Sequence, residues 1–89
     1  MKAVVTVVGK DRVGIIASVC VALASYNVNV LDIKQTVMHG FFTMMMIVDV
    51  SESNIPLAQL VKEMEEKGKE LDLSIRLQRE DIFEAMHRV

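Results

Sequence analysis

The one stretch whose residue types and spacing could do chemistry is Gly9-Lys10-Asp11-Arg12-Val13-Gly14-Ile15-Ile16, between an apolar β-branched run and a helical pattern. Backbone N–H groups at the start of that helix, at the positive end of its dipole, would take a carboxylate, and Gly14 would let a ligand approach closely. Asp11 would hold an ammonium group. The same residues also admit a structural reading: Asp11 caps the helix, Gly14 relieves packing between helix and sheet, and Asn29, at the far end of the helix, satisfies a turn. A capping Asp11 would occupy the N–H groups and repel an anion, so the two readings compete.

Other chemistry finds little support. There is no cysteine pair, no His-x-x-x-His, and no Cys or His at metal-ligand spacing from a carboxylate; His39 and His87 fall in a turn and in the tail. Ser18 and Ser25 lie inside the first helical pattern and Ser51 and Ser53 in a turn, without a His at a recognisable spacing. A phosphate-binding loop would need more glycines than Gly9 and Gly14. Neither a metal nor a cofactor is expected, and no enzymatic activity.

These groups must be positioned by a small scaffold. With 89 residues there is room for one domain with one core. Over half the chain is apolar, yet Trp is absent and Phe and Tyr are few, so Val, Ile, Leu, Met and Ala must fill that core. The net charge of −2 and the lack of a long basic run argue against nucleic acid as a partner. Cys20 cannot staple the chain to itself and reads as a reduced interior thiol. Val13 to Leu31 carries no formal charge, but Asn27 and Asn29 interrupt it and leave it too short to span a membrane. The N-terminus has no secretory pattern, so a cytoplasmic location is expected.

Periodicity supplies the elements. Ala3 to Val8 is apolar on both alternating faces, the mark of a central strand, and Ile16, Val19, Cys20 and Leu23 follow at helical spacing, with Asp11 placed as the N-cap. Val28 to Met38 mixes polar residues among β-formers and suits an edge strand. His39-Gly40 makes a tight turn into Phe41 to Val50, a second central strand. Pro56 opens a second helix with a stripe of Leu57, Leu60, Val61, Met64, Gly68 and Leu71, while Glu63–Lys67 and Glu65–Lys69 form i,i+4 pairs outside. Leu73, Ile75 and Leu77 alternate with polar residues as the other edge strand. Asp81 with Glu84 resembles a capping box, predicting a short terminal helix from Asp81 to Arg88.

The order predicts an α+β, ferredoxin-like βαββαβ sandwich: a four-stranded antiparallel sheet with two helices on one face. Residues 1–78 form the domain and 79–89 a helical extension. The other face of the sheet is then open, and Phe41, Thr43, Met45 and Ile47, or else their alternates, must point to it. An apolar patch of that kind marks association, so a homo-oligomer, a dimer first, is expected.

At Asp11-x-x-Gly14 followed by Ile15 and Ile16, with Asn29-Val30 opening the second strand, the sequence resembles the ACT-domain family. The resemblance runs to about Gln78 and rests on loop, Asn29, hairpin and element order together. It implies a regulatory module that binds a small amino acid or similar carboxylate where two domains meet, with Lys10, Asp11, Arg12, Val13, Gly14 and Asn29 as ligand-binding positions. It also implies a metabolic enzyme or regulator as a protein partner. The chain looks like a free-standing bacterial member, similar to the domains of the glycine-cleavage-system repressor. The histidine that serine-binding members carry early in the loop is replaced here by Gly9, so serine specificity does not carry over.

Three other readings share the topology. An RNA-recognition domain would match His39-Gly40-Phe41-Phe42 only faintly and lacks aromatics on the first strand. An acylphosphatase would place Arg12 in the right loop, without the Gly-Arg-rich signature. A subunit that only docks on another protein would use the open face or the terminal helix.

Overall fold

The apolar run at the start of the chain becomes β1 (Lys2–Lys10), whose Ala3, Val5 and Val7 are buried on one face of the sheet. A computed structural model describes residues 1–86. After β1 come α1 (Ile15–Ser25), β2 (Asn29–Met38), β3 (Phe41–Asp49), α2 (Leu57–Glu70), β4 (Ser74–Arg79) and α3 (Glu80–Met86). The strands make one antiparallel sheet in the order β2-β3-β1-β4. This is the expected ferredoxin-like arrangement, with β1 and β3 central and β2 and β4 at the edges.

In β3, Phe42, Met44, Met46 and Val48 turn inward beneath α1 and α2, while Phe41, Thr43 and Met45 face out. The period of two along the strand forces this all-or-none choice. The core is completed by Val19 and Leu23 of α1, Leu60 and Met64 of α2, and Ile75 and Leu77 of β4. Burying each such side chain contributes on the order of 1.5–3 kcal/mol before conformational entropy is subtracted.

The hairpin turn uses His39 and Gly40 at φ 52° and 80°, the pair of positive values that matches the twist of the flanking strands. Both long helices end in the same way. Val28 N–H donates to Leu23 C=O (3.1 Å) and Asn27 N–H to Ala24 C=O (2.9 Å), with Asn27 left-handed at φ 60°. Leu73, Asp72, Gly68 and Lys69 repeat the pattern at the end of α2. Gly68 itself lies inside α2, where a Cβ would meet Leu73 C=O at 2.7 Å, so the glycine lets α2 sit directly on the β4 backbone.

The structure revises several expectations. Asp11 does not cap α1: the helix starts three residues later, behind Gly14, with no side-chain cap. Gly14 does not relieve packing, since a Cβ there would meet nothing within 4 Å; its role is the backbone, at φ 92°. Glu63 accepts from the Tyr26 hydroxyl (3.1 Å) in place of pairing with Lys67, which pairs with Glu70 at 3.5 Å. The terminal helix starts at Glu80, one residue earlier than expected, and Asp81 is held by Arg79 (2.6 Å). The end expected at Arg88 lies outside the described residues.

The second face of the sheet is not wholly open either. Gln78 Nε2 lies 3.5 Å from Met86 Sδ, α3 runs against β1 and β4, and Val4 on that face is only 2 % exposed. Thus α3 folds back over one half of the face and leaves β2 and β3 uncovered there.

Candidate functional site

The loop after β1 is fixed at two points. Asp11 N–H donates to Gly40 C=O (2.8 Å), tying the loop to the β2–β3 hairpin. The Arg12 guanidinium donates to Leu71 C=O, a carbonyl at the negative end of the α2 dipole. Between these anchors and α1 the chain turns through Gly14 in the left-handed region, where any side chain would strain the backbone.

Past Gly14 the first N–H groups of α1 have neither a side-chain cap nor an acidic residue in the first turn. Among the described residues no hydrogen bond or ion pair engages the Asp11 carboxylate. The structure therefore separates the two readings of this loop: Asp11 and the helix N-terminus are not spent on one another. Positive dipole end and carboxylate stand side by side at the mouth of a groove of about 540 Å³ between α1 and β2.

One wall of that groove is Ile16 and Cys20 of α1, and the other is Gln35 and Val37 of β2, with Phe42 at its base. It exists because α1 packs over the central strands and leaves the helix-side row of β2 uncovered. Ile33 and Val37 are exposed on it, and Gln35 stands between them.

Of the positions expected from sequence, Asp11, Arg12 and Gly14 line this groove. Lys10 is the last residue of β1, in the row of Thr6 and Val8 on the opposite face, and Val13 projects fully into solvent. Asn29 pairs with Asp49 at the end of β2 away from the loop, whereas Met38 pairs with Phe41 beside it. At about 3.3 Å per residue this separates Asn29 from the loop by roughly 30 Å within one chain. Ile16 belongs to the motif but not to the expected ligand-binding positions, and Cys20, Gln35, Val37 and Phe42 are not among them either. Gln35 left a signal, a polar residue in the row Ile33-Gln35-Val37, but only the position of α1 gives that row a ligand-sized neighbour.

A second, larger groove of about 680 Å³ runs between α1 and α2. Glu63, Glu66 and Glu70 line it against the one cation Lys67, beside small residues of α1, and its net negative charge disfavours a carboxylate. Burial first, then Glu63, pushes the Tyr26 hydroxyl above its ordinary pKa and keeps it a donor. Among the described residues no group of three His, Cys, Asp or Glu is placed to hold a metal ion, and no helix is long and apolar enough to cross a membrane.

The ACT-domain family model matches residues 2–78. A UPF0237 protein of Bifidobacterium longum is 51 % identical over 88 residues, covering 99 % of this chain and 98 % of that protein. The structure of an ACT domain protein from Streptococcus pneumoniae superposes with a TM-score of 0.83 at 44 % identity, covering 98 % of each chain. A protein described as a glycine cleavage system transcriptional repressor superposes at 0.73 with 25 % identity, over 88 % of this chain and 44 % of its own. By family model, close relatives and fold together, the chain belongs to the ACT-domain family of regulatory ligand-binding modules, and it covers nearly the whole length of the Bifidobacterium and Streptococcus relatives.

Proposed function

We propose that this chain is a non-catalytic cytoplasmic sensor that binds a small amino acid, or a closely related carboxylate, at the groove between the Asp11–Gly14 loop and β2. The observation that carries the reading is the pairing of an uncapped helix N-terminus with an unengaged Asp11 carboxylate at one groove mouth. The first suits the ligand carboxylate and the second its ammonium group. Gln35 and the apolar wall of Ile16, Val37 and Phe42 suit a small side chain.

The site is completed by a second copy. β2 is an edge strand ten residues long and exposed along nearly its whole length, the kind of edge that takes another strand. Antiparallel pairing of two copies centred on Lys34, with Leu31 passed over as the bulge it already makes between Val30 and Asp32, sets the partner's Asn29 opposite Met38, beside the loop. The 30 Å that separates Asn29 from the loop within one chain is what makes it available to the neighbour. Oligomerisation and ligand binding are then one event, and a metabolic enzyme or regulator reads the result.

Calorimetry with the proteinogenic amino acids tests this on the parent and on Asp11→Asn. Binding by the parent, lost in Asp11→Asn, is the expected result. No heat from any amino acid at millimolar concentration, or equal binding by both proteins, would leave the chain as a docking subunit without a ligand.

A further inference from the structure

The α1–β2 groove is charged at one end only. Its charged lining residues, Asp11 and Arg12, both belong to the loop at the mouth. Beyond them the walls are Ile16 and Cys20 of α1 and Val37 of β2, over Phe42, which is 4 % exposed. α1 sorts its side chains between its two grooves. Ser18 and Ser25 line the acidic groove beside α2, whereas Ile16 and Cys20, one turn apart, line the groove beside β2. The single polar side chain in the body is Gln35, exposed to solvent.

The second copy that completes the site extends the same surface. Ile33, Gln35 and Val37 pair with Met46, Met44 and Phe42 of β3, which face the helices, so theirs is the helix-side row of β2. In the pairing centred on Lys34, the partner's Val30 falls opposite Val37 and the partner's Ile33 opposite Gln35. Residues directly opposite across an antiparallel pair share a face, so both add aliphatic surface to the outer wall. A hydroxyl, carboxylate or ammonium group placed there loses its water and meets one amide in exchange. A methyl group loses nothing.

We infer, resting on the amino-acid site proposed above, that the side chain of the ligand is aliphatic. It is selected by burial against Ile16, Val37 and Phe42 and not by a hydrogen bond from Gln35. Each methylene buried there is worth about a fourfold gain in affinity. At equal size, the hydroxyl that distinguishes threonine from valine costs about ten- to a hundredfold.

The test is calorimetry of the full chain with each proteinogenic amino acid, repeated on Val37→Ser and Gln35→Leu. Both variants alter exposed side chains, so their far-ultraviolet circular dichroism is expected to match the parent. In the parent, affinity is expected to climb from glycine through alanine to valine or leucine, with valine ahead of threonine and no heat from aspartate or lysine. Val37→Ser is expected to lower the leucine-to-alanine affinity ratio several-fold, a ratio that contacts at the mouth do not move. Gln35→Leu is expected to tighten leucine binding, because it replaces the one polar group of the body with apolar surface. Glycine, or a polar, charged or aromatic amino acid, as the tightest ligand overturns the aliphatic class and leaves the amino-acid site standing. Leucine binding weakened by Gln35→Leu does the same. No heat from any amino acid overturns the site itself and the class with it.

Discussion

The two edges of the sheet are built to opposite ends. β4 is covered twice, by α2 on the core side and by α3 on the other, and its Ile75 and Leu77 are buried. β2 is covered by neither, and Leu31, Ile33, Val37 and Met38 along it are all exposed. Both edges carry unpaired backbone groups on a strand, yet only one has been blunted by packed helices. The contrast says where stability and recognition reside: the β4 side holds the fold together, and the β2 side keeps its surface for ligand and partner.

Breaking the β4 side costs the most. Leu60→Ala, under α2, removes a fully buried side chain and is expected to destabilise by about 2–5 kcal/mol, read as a lower denaturation midpoint in urea. Gly68→Ala drives a Cβ against the Leu73 carbonyl, which is backbone and cannot yield, and about 1–3 kcal/mol is expected. By contrast Val37→Ser, on the exposed row of β2, should change stability by only about 0.5 kcal/mol or less while weakening ligand binding. A large loss of stability from Val37→Ser would erase the distinction between the two edges.

Next in size is Asn29→Ala, expected to weaken binding by roughly 1–3 kcal/mol if its amide meets a buried ligand, with the urea midpoint unmoved. Arg12→Gln comes third. Its guanidinium spans from the loop to the end of α2, and losing that charged donor is expected to cost about 1 kcal/mol of stability. Protection of the Leu71–Leu73 amides in hydrogen exchange should fall with it. Equal protection in parent and variant would make the contact incidental.

The smallest effect concerns pH. Hydrogen bonding from Ser51, side chain first and then backbone N–H, holds the Asp49 carboxyl below its ordinary range. A depressed carboxylate contributes stability above its unfolded pKa and loses it as pH falls through the folded one. Thermal midpoints of the parent should therefore drop more than those of Asp49→Asn below about pH 4, the usual aspartate value. Parallel curves would deny Asp49 that part.

Much of this architecture could be read before any coordinates. Alternation in Phe42–Met44–Met46–Val48 and the stripe Leu60–Met64–Gly68 each dictate one buried face, because periods of two and 3.6 leave no other choice. The start of α1 could not be read that way. Asp11 has the residue type of a cap, but the chain spends Arg12, Val13 and a left-handed Gly14 on leaving the sheet before it can coil. The cover that α3 gives Val4 was equally hidden, since β4 runs into α3 without a turn residue and local pattern does not say which way a helix folds back. At the site, the loop residues carried their own signal. Val37 did not, and the polar Gln35 in its row pointed to no ligand, because what makes them a groove wall is a helix placed by packing elsewhere.

The central claim, a ligand site shared between two copies, is tested most directly by mixing two variants that fail separately. Asp11→Asn spoils the loop and Asn29→Ala spoils the strand end, so calorimetry with the bound amino acid should show little heat from either protein alone. In a mixed dimer one site takes its loop from the Asn29→Ala chain and its strand end from the Asp11→Asn chain, and that site is intact. Heat that returns on mixing, with the affinity of the parent, is the predicted result. Heat that stays absent while mixed dimers are present in native mass spectra would contradict the shared site.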